Sequence, residues 1–477
     1  DKVIIHALFP ESDKEKLKKK ITEATSGRVM TQEGEEVYFG TVDGEVIANK
    51  ELTVDLALSI GRAAAVVLTN EDVKHPTFII GKDTRVSGDM LEGALVAGLT
   101  SVGANVIILG VVPTPAVAYL VKKFNADAGI MISASHNPFE FNGIKLFNEE
   151  GFKLPDEIEE KIEDIILDKE HTPDLSFGGD IGKVSYNKNA TDMYIEHIKS
   201  TIEGDLSGLE IAIDCSNGSS SVTAEKLFTS LGAKVHILSA EPDGTNINQD
   251  CGSTHMENLM DYVRKNGLQA GLAFDGDADR CLAVDEKGNM VDGDFLIAIC
   301  ADDMHRRGVL KGNAVVGTVM TNMGFQKFCE EKGLRFEATK VGDRYVLEEM
   351  QLSGYNIGGE QSGHIIFSDY ATTGDGQLTG VQLMSIMKRR NETLSEMAKV
   401  MKRYPQVLIN VKICNEMKPK FYTDKAIKAE VKQVTDILGS RGRILVRVSG
   451  TEPLVRVMLE GEDYQEISVL AEEAASV

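Results

Sequence analysis

The sequence predicts an α/β protein: three mixed α/β domains of related topology plus a smaller C-terminal α+β domain, set around a central cleft. Three observations lead there. At 477 residues the chain is too long for one ordinary core, so several domains are expected. Short apolar runs alternate with amphipathic helical patterns three times over, which implies mainly parallel sheets covered on both faces. After Tyr404 the rhythm changes to strand, long helix, two strands and a last helix.

Residues 1–36 form an N-terminal extension of unassigned role, with an apolar run at Val3–Ile5 and a Lys-rich helical pattern at Glu11–Ala24. The first α/β domain spans 37–186. Thr53 can cap a helix whose apolar residues Leu56, Ile60, Ala64 and Val67 recur every three or four positions. Strands at Thr77–Ile80, Asn105–Leu109 and Ala128–Ile132 surround a helix near Met90–Val102. The second domain, 187–293, repeats the pattern with Leu209–Asp214, a helix near Ala224–Leu231, Lys234–Leu238 and Gly271–Phe274. The third, 294–404, has Ala314–Thr318, a helix near Met323–Lys332 and Arg335–Lys340. The last, 405–477, has Val407–Ile413, one long helix Phe421–Leu438, Ile444–Val448 and Leu454–Glu460 before its final helix.

Composition removes several function classes. Lys and Arg number 51 against 74 Asp and Glu, a net charge of −23, so a nucleic acid would be repelled over most of the surface. No apolar run approaches the ~20 residues of a membrane span. Asp1–Lys20 lacks the apolar segment of a secretory signal. Six cysteines without a C-x-x-C spacing read as free buried thiols, and the expected location is the cytoplasm.

Four segments carry chemistry. Ser133-Ala134-Ser135-His136-Asn137-Pro138 follows a predicted strand, where α/β domains bind ligands. Lys145 lies near enough to return to that site, and Arg85, after the strand at Thr77–Ile80, is expected in the same cleft. Asp275-Gly276-Asp277-Ala278-Asp279-Arg280 also follows a strand. If the segment is extended, its three carboxylates share a face, and an all-oxygen cluster suits Mg²⁺ or Ca²⁺. An EF-hand fails because Arg280 stands where that loop needs Gly. A dehalogenase-type phosphatase, with an aspartyl phosphate at Asp275, stays open. Gly358-Gly359-Glu360-Gln361-Ser362-Gly363-His364 offers donors and acceptors suited to sugar hydroxyls, with Gly342-Asp343-Arg344 as a further charged loop. Arg447-Val448-Ser449-Gly450-Thr451-Glu452-Pro453 with Arg456 reads as a phosphate cradle. Jointly the four describe phosphoryl chemistry on a phosphorylated sugar.

From about Tyr38 onward the chain resembles the α-D-phosphohexomutase superfamily, on Ile132–Phe147, Pro242–His255, Asp275–Arg280, Val341–Val346 and Gly359–His364. Gln361 in the sugar loop is similar to the glucosamine branch, ahead of sister enzymes for glucose or mannose phosphates. The resemblance implies an isomerase converting glucosamine 6-phosphate to glucosamine 1-phosphate through a 1,6-bisphosphate, with glucose or glucosamine 1,6-bisphosphate as priming intermediate. It makes Ser135 the phosphoserine and, with Asp275, Asp277 and Asp279, a ligand of one Mg²⁺. His136, Lys145 and Arg85 join the catalytic set. Arg280, Asp343, Arg344, Glu360, Ser362 and His364 are expected to hold the sugar, and Arg447, Ser449, Gly450, Thr451 and Arg456 its other phosphate. A homodimer fits the resemblance. Relatives open on Gly-Thr-Asp-Gly-x-Arg-Gly, and here a gapless alignment sets Glu45 in place of that Arg, motivating a catalytically weak phosphosugar-binding protein as the rival.

Overall fold

The computed structural model describes residues 40–42, 45–48, 52–69, 73–167, 173–414, 417–448 and 454–477. Thr41–Val477 forms one compact unit. The expectations at Val3–Ile5 and Glu11–Ala24 lie outside the described residues, as do those for the Glu45 side chain and for Ser449, Gly450 and Thr451.

The first sheet has seven strands: β1 (Gly40–Val42), β2 (Glu45–Ala48), β3 (Thr77–Lys82), β4 (Asn105–Val111), β5 (Ala128–Ile132), β6 (Asn142–Asn148) and β7 (Val184–Tyr186), in the order β1-β2-β6-β5-β3-β4-β7. The second comprises β8 (Glu210–Asp214), β9 (Lys234–Leu238), β10 (Ala270–Phe274), β11 (Cys281–Asp285) and β12 (Met290–Val291), ordered β12-β11-β10-β8-β9. The third is β14 (Arg335–Thr339), β13 (Ala314–Thr318), β15 (Ile357–Gly359) and β16 (Ile365–Phe367), in that order. The last has β17 (Gln406–Lys412), β18 (Gly442–Val448) and β19 (Leu454–Gly461), ordered β17-β19-β18.

The sheets are more mixed than the alternating pattern suggests. β3, β4, β5 and β7 run parallel, but β6 is antiparallel to β5 and to β2. Likewise β11 is antiparallel to β10 and β16 to β15, while β18 and β19 form an antiparallel pair. Each chemistry-bearing segment is therefore the connection within an antiparallel strand pair, not the exit from a parallel strand into a helix. Apolar content does not distinguish the two, because β5 and β10 are buried along their whole length.

Thr53 caps helix Val54–Val67 as expected, its Oγ1 accepting the Leu56 N–H at 3.1 Å. The expected long helix Phe421–Leu438 is two, Lys418–Phe421 and Lys425–Leu438. Asp424 breaks it: its carboxylate accepts the N–H groups of Ala426 and Ile427, starting a new helix there. Five cysteines are free and buried, but Cys414 is exposed. No helix among the described residues is long and apolar enough to cross a membrane.

One apolar core runs through all three α/β sheets, from Ile79 and Met131 through Leu272 and Phe274 to Val315 and Ile365. The C-terminal domain has its own core of Val434, Leu438, Val457, Leu459 and Ile467. Its tie to the third domain is polar. Buried Glu460 accepts from Asn322 Nδ2 at 3.2 Å, from Met323 N at 3.1 Å and from Arg443 Nε at 2.7 Å.

Candidate active site

Ser135 follows β5 and holds φ +49°, a left-handed conformation that costs a non-glycine residue about 1 kcal/mol. The surrounding loop compensates. Ser133 Oγ accepts the Ser135 N–H at 3.0 Å, and Arg85 Nη2 donates to Ser135 O at 3.2 Å and Asn137 O at 2.6 Å. So turned, Ser135 Oγ donates to Asp275 Oδ2 at 2.6 Å, across from the first sheet to the second. Arg85 is buried and ion-paired to Asp83, so its guanidinium grips this loop's backbone instead of opening onto the cleft.

The three carboxylates converge as expected, for a different reason. Asp275–Arg280 is a turn with Ala278 at φ +59°, not an extended segment, so a reversal of the backbone gathers the side chains. Gly276 packs where no side chain fits, since a Cβ there would lie 2.5 Å from Ser135 O. Ligand oxygens of Asp275, Asp277 and Asp279 lie within 4.8 Å of one another. Burial pushes the Asp275 carboxyl well above its usual pKa, with Asp279 and Asp277 adding to the rise. Burial would also raise Asp279, yet Lys145 and His364 hold it well below the usual range. Buried Asp277 Oδ1 and Asp279 Oδ1 have no hydrogen-bond partner among the described residues. Hard, buried, unsatisfied carboxylate oxygens in mutual repulsion fit a hard divalent cation such as Mg²⁺ or Ca²⁺.

Lys145 on β6 is fully buried, its Nζ 2.7 Å from Asp277 Oδ2 and 3.6 Å from Asp279 Oδ2. Thr114, which opens helix Thr114–Phe124, donates its hydroxyl to the same Asp277 oxygen and its N–H to Asp277 O at 2.9 Å. His136 is exposed, with Nδ1 3.1 Å from Arg280 Nη1. Desolvation by the atoms crowding its ring, and then the Arg280 charge, lower its pKa to about 4.

The third loop joins β15 to β16. Burial opposes a charge on His364, but Asp279 and Asp343 overcome it and raise its pKa. Nδ1 lies 3.5 Å from Asp279 Oδ2, and Nε2 lies 3.3 Å from Asp343 Oδ2 and 3.1 Å from the Gly374 N–H. Either protonation state thus has partners. Lys153 bonds Asp343 at 2.7 Å, so a first-domain cation joins the network. Glu360 accepts the Gly342 N–H at 3.2 Å, and Ser362 is exposed. Asp343 and Arg344 open helix Asp343–Ser353 instead of lying in a loop. They also diverge: Arg344 pairs with Asp156 and Glu348, whereas Asp343 faces His364. Arg447 and Arg456 are cross-strand partners on β18 and β19; burial, then the neighbouring Arg456 charge, lowers the pKa of Arg447.

Helix Gly376–Arg390 backs these loops. Gly376 N donates to Ala278 O at 3.0 Å, and a Cβ on Gly376 would stand 2.2 Å from Arg280 O. Its cap, Asp375, accepts from Tyr194 Oη at 2.8 Å and Leu378 N at 2.9 Å, and burial raises its pKa to about 7. The folded acid keeps a proton that the unfolded chain releases near 3.8, so its stabilisation is full below that pH and is lost as pH rises through 7. An amide mimics the neutral acid. Asp375→Asn should raise the melting temperature by a few degrees at pH 8, from at most about 4 kcal/mol, and by less than half as much at pH 5. Equal shifts at both pH values, or none at pH 8, would refute that reading of Asp375.

Thr114, Lys153 and Asp375 escaped the sequence reading: Thr114 opens a helix, Asp375 caps one and Lys153 bridges Phe147, and folding alone shows which carboxylate or hydroxyl each meets. The Thr114-Pro115 helix start was a usable signal for the first of them.

An acidic triad on the second sheet thus faces a left-handed serine on the first. Models for the phosphoglucomutase/phosphomannomutase α/β/α domains I, II and III match residues 36–173, 192–288 and 292–404, and the model for the C-terminal domain matches 408–477. The chain is 54% identical over 440 residues to the phosphoglucosamine mutase of Clostridium botulinum, covering 92% of this chain and 98% of that one. It is 56% identical over 439 residues to the phosphoglucosamine mutase of a Thermoanaerobacter species, covering 92% and 98%. A solved phosphoglucomutase/phosphomannomutase family protein from Burkholderia thailandensis matches with TM-score 0.77 at 25% identity, covering 91% and 97%. The chain belongs to the phosphoglucomutase/phosphomannomutase family.

Proposed function

We propose that this isomerase interconverts glucosamine 6-phosphate and glucosamine 1-phosphate through phospho-Ser135, feeding amino-sugar nucleotide and cell-wall precursor synthesis. The observation that carries the mechanism is the 2.6 Å hydrogen bond from Ser135 Oγ to Asp275, with Lys145 buried among the neighbouring carboxylates. The bond from phosphorus to Ser135 Oγ breaks as phosphorus bonds the free sugar hydroxyl, whose proton passes to a base. Lys145 and His136 are the candidates for general acid–base work there. The resulting 1,6-bisphosphate reorients, and Ser135 Oγ takes the other phosphoryl group, leaving the product. Asp275, Asp277 and Asp279, with Ser135 beside them, would hold Mg²⁺, which would supply electrostatic stabilisation of the charge on the transferring group.

Arg280, Glu360, Ser362, His364 and Asp343 orient the sugar in this reading. Arg447 and Arg456, with Ser449, Gly450 and Thr451, grip the phosphate that does not react. A separate core for the last domain supports a cradle able to accept either phosphate in turn. The reading carries a cytoplasmic location and a homodimer, with no nucleic-acid partner.

The test is kcat/KM for the phosphates of glucosamine, glucose and mannose, measured with Mg²⁺ and again with chelator. Glucosamine should lead by at least about tenfold, a difference worth about 1.4 kcal/mol in the transition state. Chelation should abolish turnover and Mg²⁺ restore it. Preference for glucose or mannose would move the enzyme to a sister activity, and absence of turnover on all three would favour a phosphosugar-binding protein.

A further inference from the structure

We infer that Asn248, on the connection after β9, is a positioning residue that holds Ser135 in its reactive conformation. The inference rests on the phosphoserine reading above. Asn248 is 6% exposed, and its Nδ2 donates to Ser135 O at 2.9 Å and to Asn137 O at 2.9 Å. These are the two carbonyls that Arg85 Nη2 also grips. Each oxygen thus receives one donor from the first domain and one from the second.

The arrangement has a physical purpose. Left-handed backbone at a non-glycine residue is unfavourable, and buried carbonyls need donors to be held in it. With both carbonyls engaged by Arg85 and Asn248, the left-handed Ser135 is pinned and presents Oγ to Asp275. Asn248 is itself fixed: it holds φ +59°, and its N–H donates to Ser216 O at 2.8 Å. Asparagine tolerates that conformation better than most residues. Gly276 closes the third side, since a Cβ there would meet Ser135 O at 2.5 Å and Asn248 Nδ2 at 2.8 Å. The second domain, which supplies the carboxylate triad, therefore also sets the pose of the serine facing it.

Asn248→Asp tests this with almost no change of volume, replacing a shared donor by an oxygen that repels both carbonyls. With Mg²⁺ present, kcat should fall at least about 50-fold while KM for glucosamine 6-phosphate stays within about threefold. The Mg²⁺ midpoint should also stay within about threefold, because Asp275, Asp277 and Asp279 are untouched. Amide exchange across residues 133–138 should quicken at least about tenfold, with exchange in β5 and β10 unchanged. Asn248→Gly, which accepts φ +59° and removes the donor with the rest of the side chain, without adding a repelling oxygen, should give the same pattern more mildly and serves if the Asp variant does not fold. Unchanged kcat, or unchanged exchange at 133–138, would overturn the inference. So would a joint loss of Mg²⁺ affinity, kcat and protection throughout the domain, which marks a merely structural residue. Should the parent protein itself show no mutase turnover, the phosphoserine reading fails, and exchange at 133–138 alone decides whether Asn248 clamps the loop.

Discussion

Ser135→Ala is expected to lower mutase turnover at least about 10³-fold, a loss of about 4 kcal/mol in transition-state stabilisation, while leaving the fold intact. The large figure follows from covalent relay: without an oxygen at this position the phosphoryl group has no acceptor between its two sites on the sugar. A neighbouring hydroxyl, Ser133 Oγ, already accepts the Ser135 N–H at 3.0 Å and an Arg85 Nη1 donor at 3.3 Å. It is committed to holding the loop. The structural cost is small, because the deleted hydroxyl makes one hydrogen bond to an acid whose neutral form burial already favours. Turnover within tenfold of the parent, at an unchanged melting temperature, would remove Ser135 from the mechanism. Intact-mass and peptide mapping add a second readout. Phosphate on Ser135 in the parent and none in the variant supports the relay, whereas phosphate on Asp275 in either would favour aspartyl-phosphate chemistry.

The residues that carry this prediction were legible in the sequence because they are contiguous. Ser133–Asn137 and Asp275–Arg280 each follow a strand whose apolar run is unmistakable, and a short polar segment after such a run is easily seen. The strands at Ala128–Ile132 and Lys234–Leu238 and the helix Met323–Lys332 emerge with the expected bounds for the same reason. Strand direction was not legible. β6 carries Asn142, Gly143 and Lys145 among its apolar residues and β16 is only three residues long, so neither stands out as a strand. The left-handed Ala278 also left no mark, since alanine carries no preference for that conformation. Lys153 left no mark in the sequence, and Asn248 lay within a segment noted only for its resemblance, because tertiary packing alone brings each to the loop it serves.

Lys145→Met is the second variant with a large expected effect, and its sign on metal affinity separates two roles. The ammonium is buried, 2.7 Å from Asp277 Oδ2 and 3.6 Å from Asp279 Oδ2, and Thr114 shares that Asp277 oxygen. In the absence of metal it offsets part of the triad's mutual repulsion. Methionine fills similar volume with no charge, so the variant should lose about 3–5 kcal/mol of stability without Mg²⁺, the usual consequence of removing one member of a buried pair. With Mg²⁺ the outcome reverses. A cation beside a metal site repels the metal, so its removal should tighten Mg²⁺ binding and make the melting temperature of the variant rise more on metal addition than that of the parent. Turnover should nonetheless fall at least about 10³-fold, because in the proposed mechanism the same charge stabilises the transferring phosphoryl group or the same amine handles the proton of the sugar hydroxyl. Calorimetric titration with Mg²⁺, melting with and without the metal, and kcat at saturating Mg²⁺ together decide the matter. Weaker Mg²⁺ binding in Lys145→Met would show that the lysine organises the carboxylates for the metal. Near-parent kcat at saturating Mg²⁺ would confine it to charge balance and pass the acid–base role to His136.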